Sequence, residues 1–192
     1  MALAEAILVC LAEKPLTGYD LAKTFDTSIG FFWHADHQQI YRELKKLKER
    51  GWVNDELVVQ EGRPNKRRYS ITGSGRDRLV DWSRESDPPP GVKDDMMVKL
   101  YGLAEVDIPA VAAQIRDRLA GHRRRLALYE RIRDTVFASM DRSDPAVVGR
   151  FLGLQLGLDY EKAWIGWCGR ALQLLAELPD SAPGRSPGRS PG

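Results

Sequence analysis

The residues of this chain best equipped to do chemistry lie between positions 19 and 78. His37, Gln38 and Gln39 stand in a row and present an imidazole and two carboxamides. Such groups read donor and acceptor patterns on base edges, and a glutamine pairs bidentately with adenine. Tyr19, Tyr41, Lys45 and Lys46 add hydroxyl and ammonium donors. Donors of that kind grip phosphate oxygens and position a protein without reading sequence. Further on, Arg63, Pro64, Asn65, Lys66, Arg67 and Arg68 follow Gly62, so cations surround a Gly-Pro pivot. A basic tip of this shape suits a narrow, electronegative minor groove. Each group also has a plainer reading: polar residues at a helix start are commonly just solvated, and Tyr41 would serve as a half-buried anchor.

Charge distribution points the same way. Lys or Arg occupies positions 42, 45, 46, 48, 50, 63, 66, 67, 68, 76 and 78, against acids at 43, 49, 55, 56, 61 and 77. The whole chain carries a formal net charge of only +2, so its remainder is slightly acidic and the surplus marks one place. A localised basic surface is the footprint of phosphate binding. Other chemistry finds little support. His34, His37 and His122 are scattered with no acid or cysteine completing a ligand set, and serines such as Ser139 stand beside no base. No glycine loop cradles a phosphate, so neither an enzyme nor a bound cofactor or metal is expected. Cys10 and Cys168 each lie in an apolar stretch and read as buried free thiols. With no disulfide framework, no apolar run long enough to span a bilayer and no signal peptide, a cytoplasmic protein is expected.

Local signals lay out the elements that must position these groups. Leu3, Ile7, Cys10 and Leu11 fall at helical spacing before Lys14-Pro15. Thr17 opens a second helix with Asp20 at the capping-box position, and Leu21, Ala22 and Phe25 form its inner face. Asp36 caps a third, with the stripe Ile40, Leu44 and Leu47 and a stop at Gly51. Val53, Leu57 and Val59 favour one strand, Tyr69 and Ile71 another, and Thr72 caps a fourth helix running to Trp82. Alternation along the second strand sends Arg67 to one face and Lys66 and Arg68 to the other. Helix, helix, helix, strand, strand, helix is the order of a winged helix-turn-helix, whose third helix enters the major groove.

Beyond residue 85 the pattern changes. Residues 86–92 contain Pro88-Pro89-Pro90-Gly91 and make a hinge. A short helix over 94–103 precedes a long one opened by Asp107, with apolar positions 108, 112, 115, 119, 126, 129, 136 and 140. That seam is coiled-coil-like and interrupted by His122 and Arg133. Asp144-Pro145 opens a last helix, 146–178, apolar over most of its circumference, for which a second copy of the chain is the simplest partner. The tail, 179–192, repeats Pro-Gly-Arg-Ser and is expected to be disordered. The fold class expected is therefore mainly α: a winged domain with a two-stranded wing over 1–85, and an α-helical dimerisation domain over 93–178.

Several segments in this order resemble the PadR family of transcriptional regulators. They are Pro15-Leu16-Thr17-Gly18-Tyr19-Asp20-Leu21, Phe31-Phe32-Trp33, Gln39-Ile40-Tyr41-Arg42-Glu43-Leu44, Gly51-Trp52-Val53, Gly62-Arg63-Pro64-Asn65-Lys66 and Tyr69-Ser70-Ile71-Thr72. The stretch 93–178 resembles the longer PadR C-terminal helical domain through His122-Arg123 and Tyr160-Glu161-Lys162-Ala163-Trp164. The resemblance implies a homodimer on double-stranded operator DNA, repression, a backbone contact by Tyr19, and release by a small aromatic effector bound between the domains. Trp33, His37, Met96, Met97, Gln155, Asp159 and Tyr160 are the residues expected around such an effector. Trp33 and its neighbours Phe31 and Phe32 read first as core, an aromatic triplet being more often buried packing than a pocket wall. The competing reading is a winged module whose basic face binds a protein.

Overall fold

The computed structural model describes residues 3–27, 35–59, 62, 65–86, 91 and 93–178. The aromatic connector 28–34 with Trp33, the wing positions Arg63 and Pro64, hinge residues 87–90 and 92, and the tail 179–192 lie outside the described residues. The chain divides into two compact units, Met1–Pro89 and Pro90–Gly192.

In the first unit the order is α1 (Leu3–Glu13), β1 (Leu16–Thr17), α2 (Gly18–Thr27), α3 (His37–Glu49), β2 (Val53–Val58), β3 (Lys66–Ile71) and α4 (Gly73–Trp82). Capping chemistry fixes where the helices start. Thr17 Oγ1 accepts from the Asp20 N–H at 3.1 Å while Asp20 Oδ2 accepts from the Thr17 hydroxyl at 2.7 Å. Thr72 accepts from the Gly75 N–H at 3.1 Å and donates its own proton to the Gly51 carbonyl at 2.7 Å. At the end of α3 Gly51 adopts φ +72°, with Gly51 N–H on Lys48 O and Trp52 N–H on Leu47 O, both at 2.9 Å. This is a Schellman stop, and its left-handed residue favours glycine. Ile7, Leu8, Leu21, Phe25, Ile40, Leu44, Leu47 and Val53 meet in one core.

The wing is larger than its two expected strands. β3 pairs antiparallel with β2 (Asp55 opposite Tyr69, Leu57 opposite Arg67) and also with β1 (Leu16 opposite Tyr69), giving the order β1-β3-β2. Leu57 and Val59, read as strand apolars, are exposed, because the outer wing runs past the core that covers Val53. Glu5, an acid within an apolar helix, is buried and accepts from Arg78 Nε at 3.0 Å and Nη2 at 2.7 Å. Arg78 also lies 5.7 Å over the Trp52 ring, tying α1 and α4 to the turn after α3.

The second unit holds α5 (Asp95–Tyr101), a short 3-10 turn at Leu103–Glu105, α6 (Ile108–Val136) and α7 (Pro145–Ala176). Asp94, Asp107 and Asp144 cap the three α-helices through Met96, Ala110 and Ala146 N–H groups. Contacts of His122 with Glu161 and of Phe137 with Phe151 run in opposite chain directions, so α6 and α7 form an antiparallel hairpin. His122 does not interrupt the seam of α6 as the sequence suggested; it is buried in it, opposite Glu161. The helix stops at Val136, which leaves Met140 in the connector. Among the described residues, no helix is long and apolar enough to cross a membrane.

Candidate nucleic-acid interface and effector cleft

The rotation of α3 is fixed by its buried stripe, Ile40, Leu44 and Leu47, which turns Gln38, Tyr41, Arg42 and Lys45 outward. At its start Asp36 accepts from the Gln39 N–H at 2.7 Å, and Gln39 Oε1 accepts from the Asp36 N–H at 3.1 Å. Tyr41 is half exposed and lies across the first residue of α2: a Cβ on Gly18 would overlap the ring, with Cζ only 2.8 Å away. Beside it Tyr19 is 67% exposed. The absence of a side chain at Gly18 is what lets the phenol of α3 rest on α2.

Carboxylates already hold most cations of this surface. Lys45 faces Glu49 at 4.0 Å and Lys46 meets Glu43 at 3.0 Å. Asp55, its side chain 5% exposed, takes both Lys48 at 2.5 Å and Arg67. Hydrogen bonds from these two cations, Lys48 foremost, hold the Asp55 carboxyl below the usual carboxylate range. Arg68 reaches Glu56 at 3.5 Å, so that acid neutralises the wing as well as solubilising it. Lys66 is exposed with no ion pair among the described residues; its charge helps lower the Asp20 carboxyl, after the dominant hydrogen bond from Thr17. The exposed Asn65 stands at the same end of the wing.

The second unit contains a cleft of about 500 Å³ lined by Asp94, Arg118, His122, Arg125, Tyr160 and Trp164 among others. Arg118 grips Asp94 through both terminal nitrogens, at 2.5 and 2.9 Å, and keeps that carboxyl below its ordinary range. Deeper in, His122 Nδ1 lies 2.5 Å from Glu161 Oε2, Arg125 Nε donates to Glu161 Oε1 at 2.9 Å, and the imidazole stacks on Trp164 at 5.1 Å. The cleft thus offers aromatic edges beside charge-paired donors, fit for a small ring carrying polar groups.

Comparison with known proteins decides the family. Residues 7–81 match the model of the PadR-like family of transcriptional regulators, and residues 92–176 match the virulence activator alpha C-terminal model. A probable transcriptional regulator of Mycobacterium tuberculosis is 38% identical over 92% of this chain and 99% of its own length. The chain belongs to the PadR-like family of transcriptional regulators. Among solved structures, Bacillus subtilis PadR in complex with operator DNA is similar at TM-score 0.80 and 32% identity, covering 91% of this chain and 97% of that one. The same protein with p-coumaric acid matches at TM-score 0.74 and 31% identity, covering 92% and 100%. The Vibrio cholerae virulence activator AphA matches at TM-score 0.72 and 33% identity, covering 91% and 98%. This family and these relatives are regulators of transcription, not enzymes.

Within this PadR-like frame the residues singled out in the sequence fare unequally. Tyr19, His37, Gln38, Tyr41, Lys45, Lys46, Asn65, Lys66 and Arg68 are exposed. Gln39 is exposed too, but its carbonyl accepts from the Asp36 N–H in the capping box, which ties the side chain back to the helix start and must be released for it to turn its amide onto adenine. Arg67 is drawn onto Asp55, on the strand face it shares with Tyr69. The effector set is largely dispersed. Met96 is 1% exposed in the core of the second unit, where the apolar packing that anchors α5 claims it. Met97 is exposed on α5, and Gln155 donates to Asp159 at 3.3 Å on α7. Of the described effector candidates, only Tyr160 lines the cleft. Arg118, His122, Arg125 and Trp164 were not among those candidates; the carboxylates that hold Arg118, His122 and Arg125, on Asp94 and Glu161, lie 24 to 39 positions away, too far for a local pattern to mark the cleft. Arg42, exposed at helical spacing between Gln38 and Lys45, was not among the candidates either.

Proposed function

We propose that this PadR-like regulator is a cytoplasmic homodimer that binds an inverted-repeat operator through α3 and the wing and represses transcription until a small aromatic effector releases it. The observation that carries the DNA reading is the outward face of α3. It is polar and basic, it is rotated into place by three buried apolar residues, and Tyr41 and Tyr19 flank it. The relative of known structure bound to operator DNA supports the same reading. On this reading, His37 and Gln38 are the groups for base edges, Tyr19, Tyr41, Lys45 and Lys46 those for phosphates, and Arg63, Pro64, Asn65, Lys66 and Arg68 those for the minor groove.

Dimerisation is supported by α7, whose Leu152, Leu156 and Tyr160 are exposed in the single chain. A C-terminal helical domain over 93–178 holds two winged domains (1–85) about one helical turn apart, with the hinge 86–92 setting their reach. The p-coumaric acid complex of PadR supports a phenolic effector, and the cleft around Arg118 and Trp164 is the candidate site.

The test is binding of the full chain to duplex from upstream of its own coding region, against scrambled duplex, over a salt series. Specific affinity should fall steeply from low to physiological salt. Equal binding to both duplexes at every salt overturns the DNA reading. It would favour the second one, a protein partner, to which the self-neutralised pairs of Lys45, Lys46, Lys48, Arg67 and Arg68 already lend support. A reporter fused to the bound region settles the sign, since relatives of this chain are named both negative regulator and activator.

A further inference from the structure

We infer that Arg42 is the residue through which α3 specifies a guanine, and that it does so from the second helical turn rather than from the polar stretch at the helix start. The inference rests on the DNA-binding reading above and sharpens it to one base. Lys45, Lys46 and Lys48 of α3 each face a carboxylate, on Glu49, Glu43 and Asp55. Arg42 is exposed and, among the described residues, has no hydrogen bond or ion pair. A paired cation must give up its carboxylate before it meets DNA, and the released acid then repels the phosphates. Among the described residues, Arg42 has no such partner to give up.

Geometry and chemistry agree on the role. Arg42 follows Gln38 by four residues and precedes Lys45 by three, so the three share the outward face, opposite Ile40, Leu44 and Leu47. Its neighbour Tyr41 is seated against Gly18, which anchors this turn of α3 to α2. The guanidinium fork matches O6 and N7 of guanine bidentately, a geometry that an ammonium does not reproduce. Gln39, the competing reader one residue past Gln38, has its acceptor in the capping box. Four residues of helix rise about 6 Å. The guanine should therefore lie roughly two base-pair steps from the position that Gln38 faces.

The test is selection of bound duplexes from a random library by the full-length wild type and by Arg42→Ala, Arg42→Lys and Gln38→Ala, followed by titration of single-base operator variants. Wild type is expected to enrich G at one fixed position in each half-site. Arg42→Ala and Arg42→Lys should both lose that preference by about tenfold or more. Their affinity for duplexes lacking that G should stay within a few-fold of wild type, and Gln38→Ala should change a different position. Thermal melts should coincide, since Arg42 is exposed and, among the described residues, holds no hydrogen bond or ion pair. The assignment is overturned if Arg42→Ala weakens all sequences alike and lowers the salt slope by about one, the mark of a phosphate contact. It is overturned equally if the enriched sequence is unchanged. A wild type that enriches no sequence brings down the DNA-binding reading itself, and this is visible before any variant is made.

Discussion

At the scale of single residues, the interface depends on small contacts that surface inspection would pass over. Gly18 makes room for the Tyr41 ring. Because that ring is half exposed, a methyl at position 18 displaces it toward water, and Gly18→Ala is expected to change stability by less than about 1 kcal/mol while lowering operator affinity several-fold. Melting curves and DNA titrations, with Tyr41→Phe as the control that keeps the ring, separate the two effects. Asp55 is the carboxylate that keeps Lys48 and Arg67 in place, and its folded value lies below its unfolded one. Its stabilisation is therefore complete above the ordinary aspartate value of about 3.9 and is lost as pH falls through the lower folded value. Asp55→Asn should cost about 1 kcal/mol at neutral pH, since both cations stay half in water, and should flatten part of the acid limb in urea unfolding from pH 7 to 2. Burial, and then repulsion from Glu13, pushes the Cys10 thiol up to about 11. At neutral pH native protein should react with a thiol reagent far more slowly than protein in denaturant.

At the scale of elements, the α6–α7 hairpin carries a polar layer where an apolar one would serve. His122 and Glu161 are both buried, and Arg125 closes the layer from the solvent side. Removing one member of such a group leaves the others desolvated and unpaired, which costs roughly 3–5 kcal/mol in a fully buried pair. With Arg125 still partly in water, Glu161→Gln should fall at or below the lower end of that range. The double change His122→Leu with Glu161→Leu should recover most of the loss in urea unfolding. A double variant as unstable as the single one would show that the layer contributes through packing on Trp164, not through charge.

For the molecule as a whole, operator binding in the reading proposed above depends on two winged domains held at one spacing, with α7 supplying the apolar surface for that. Leu152 and Leu156 are exposed in the single chain, so Leu152→Glu with Leu156→Glu should leave the fold of each protomer intact. The expected result is a monomer by sedimentation, with operator affinity reduced by two orders of magnitude or more as the second half-site is lost. A variant that stays dimeric would move the interface off this face.

The sequence by itself determined the order of the helices and the caps that start them, the buried stripes of α2 and α3, and the basic character of the region between Arg42 and Arg78. Those signals are local: a cap, a period or a stop is written within about four residues, as at Thr17 and Asp20 or Asp36 and Gln39. Tertiary structure decided which charged groups remain available. Arg67 meets Asp55 across 12 positions, His122 meets Glu161 across 39, and Arg78 meets Glu5 across 73. It also decided that Leu16 and Thr17 form a strand, since two residues carry no period and pair only because β3 lies alongside. Met96 enters the core of the second unit for the same kind of reason. Residue type says what a side chain is able to bind; only the fold says whether its partner is already in place.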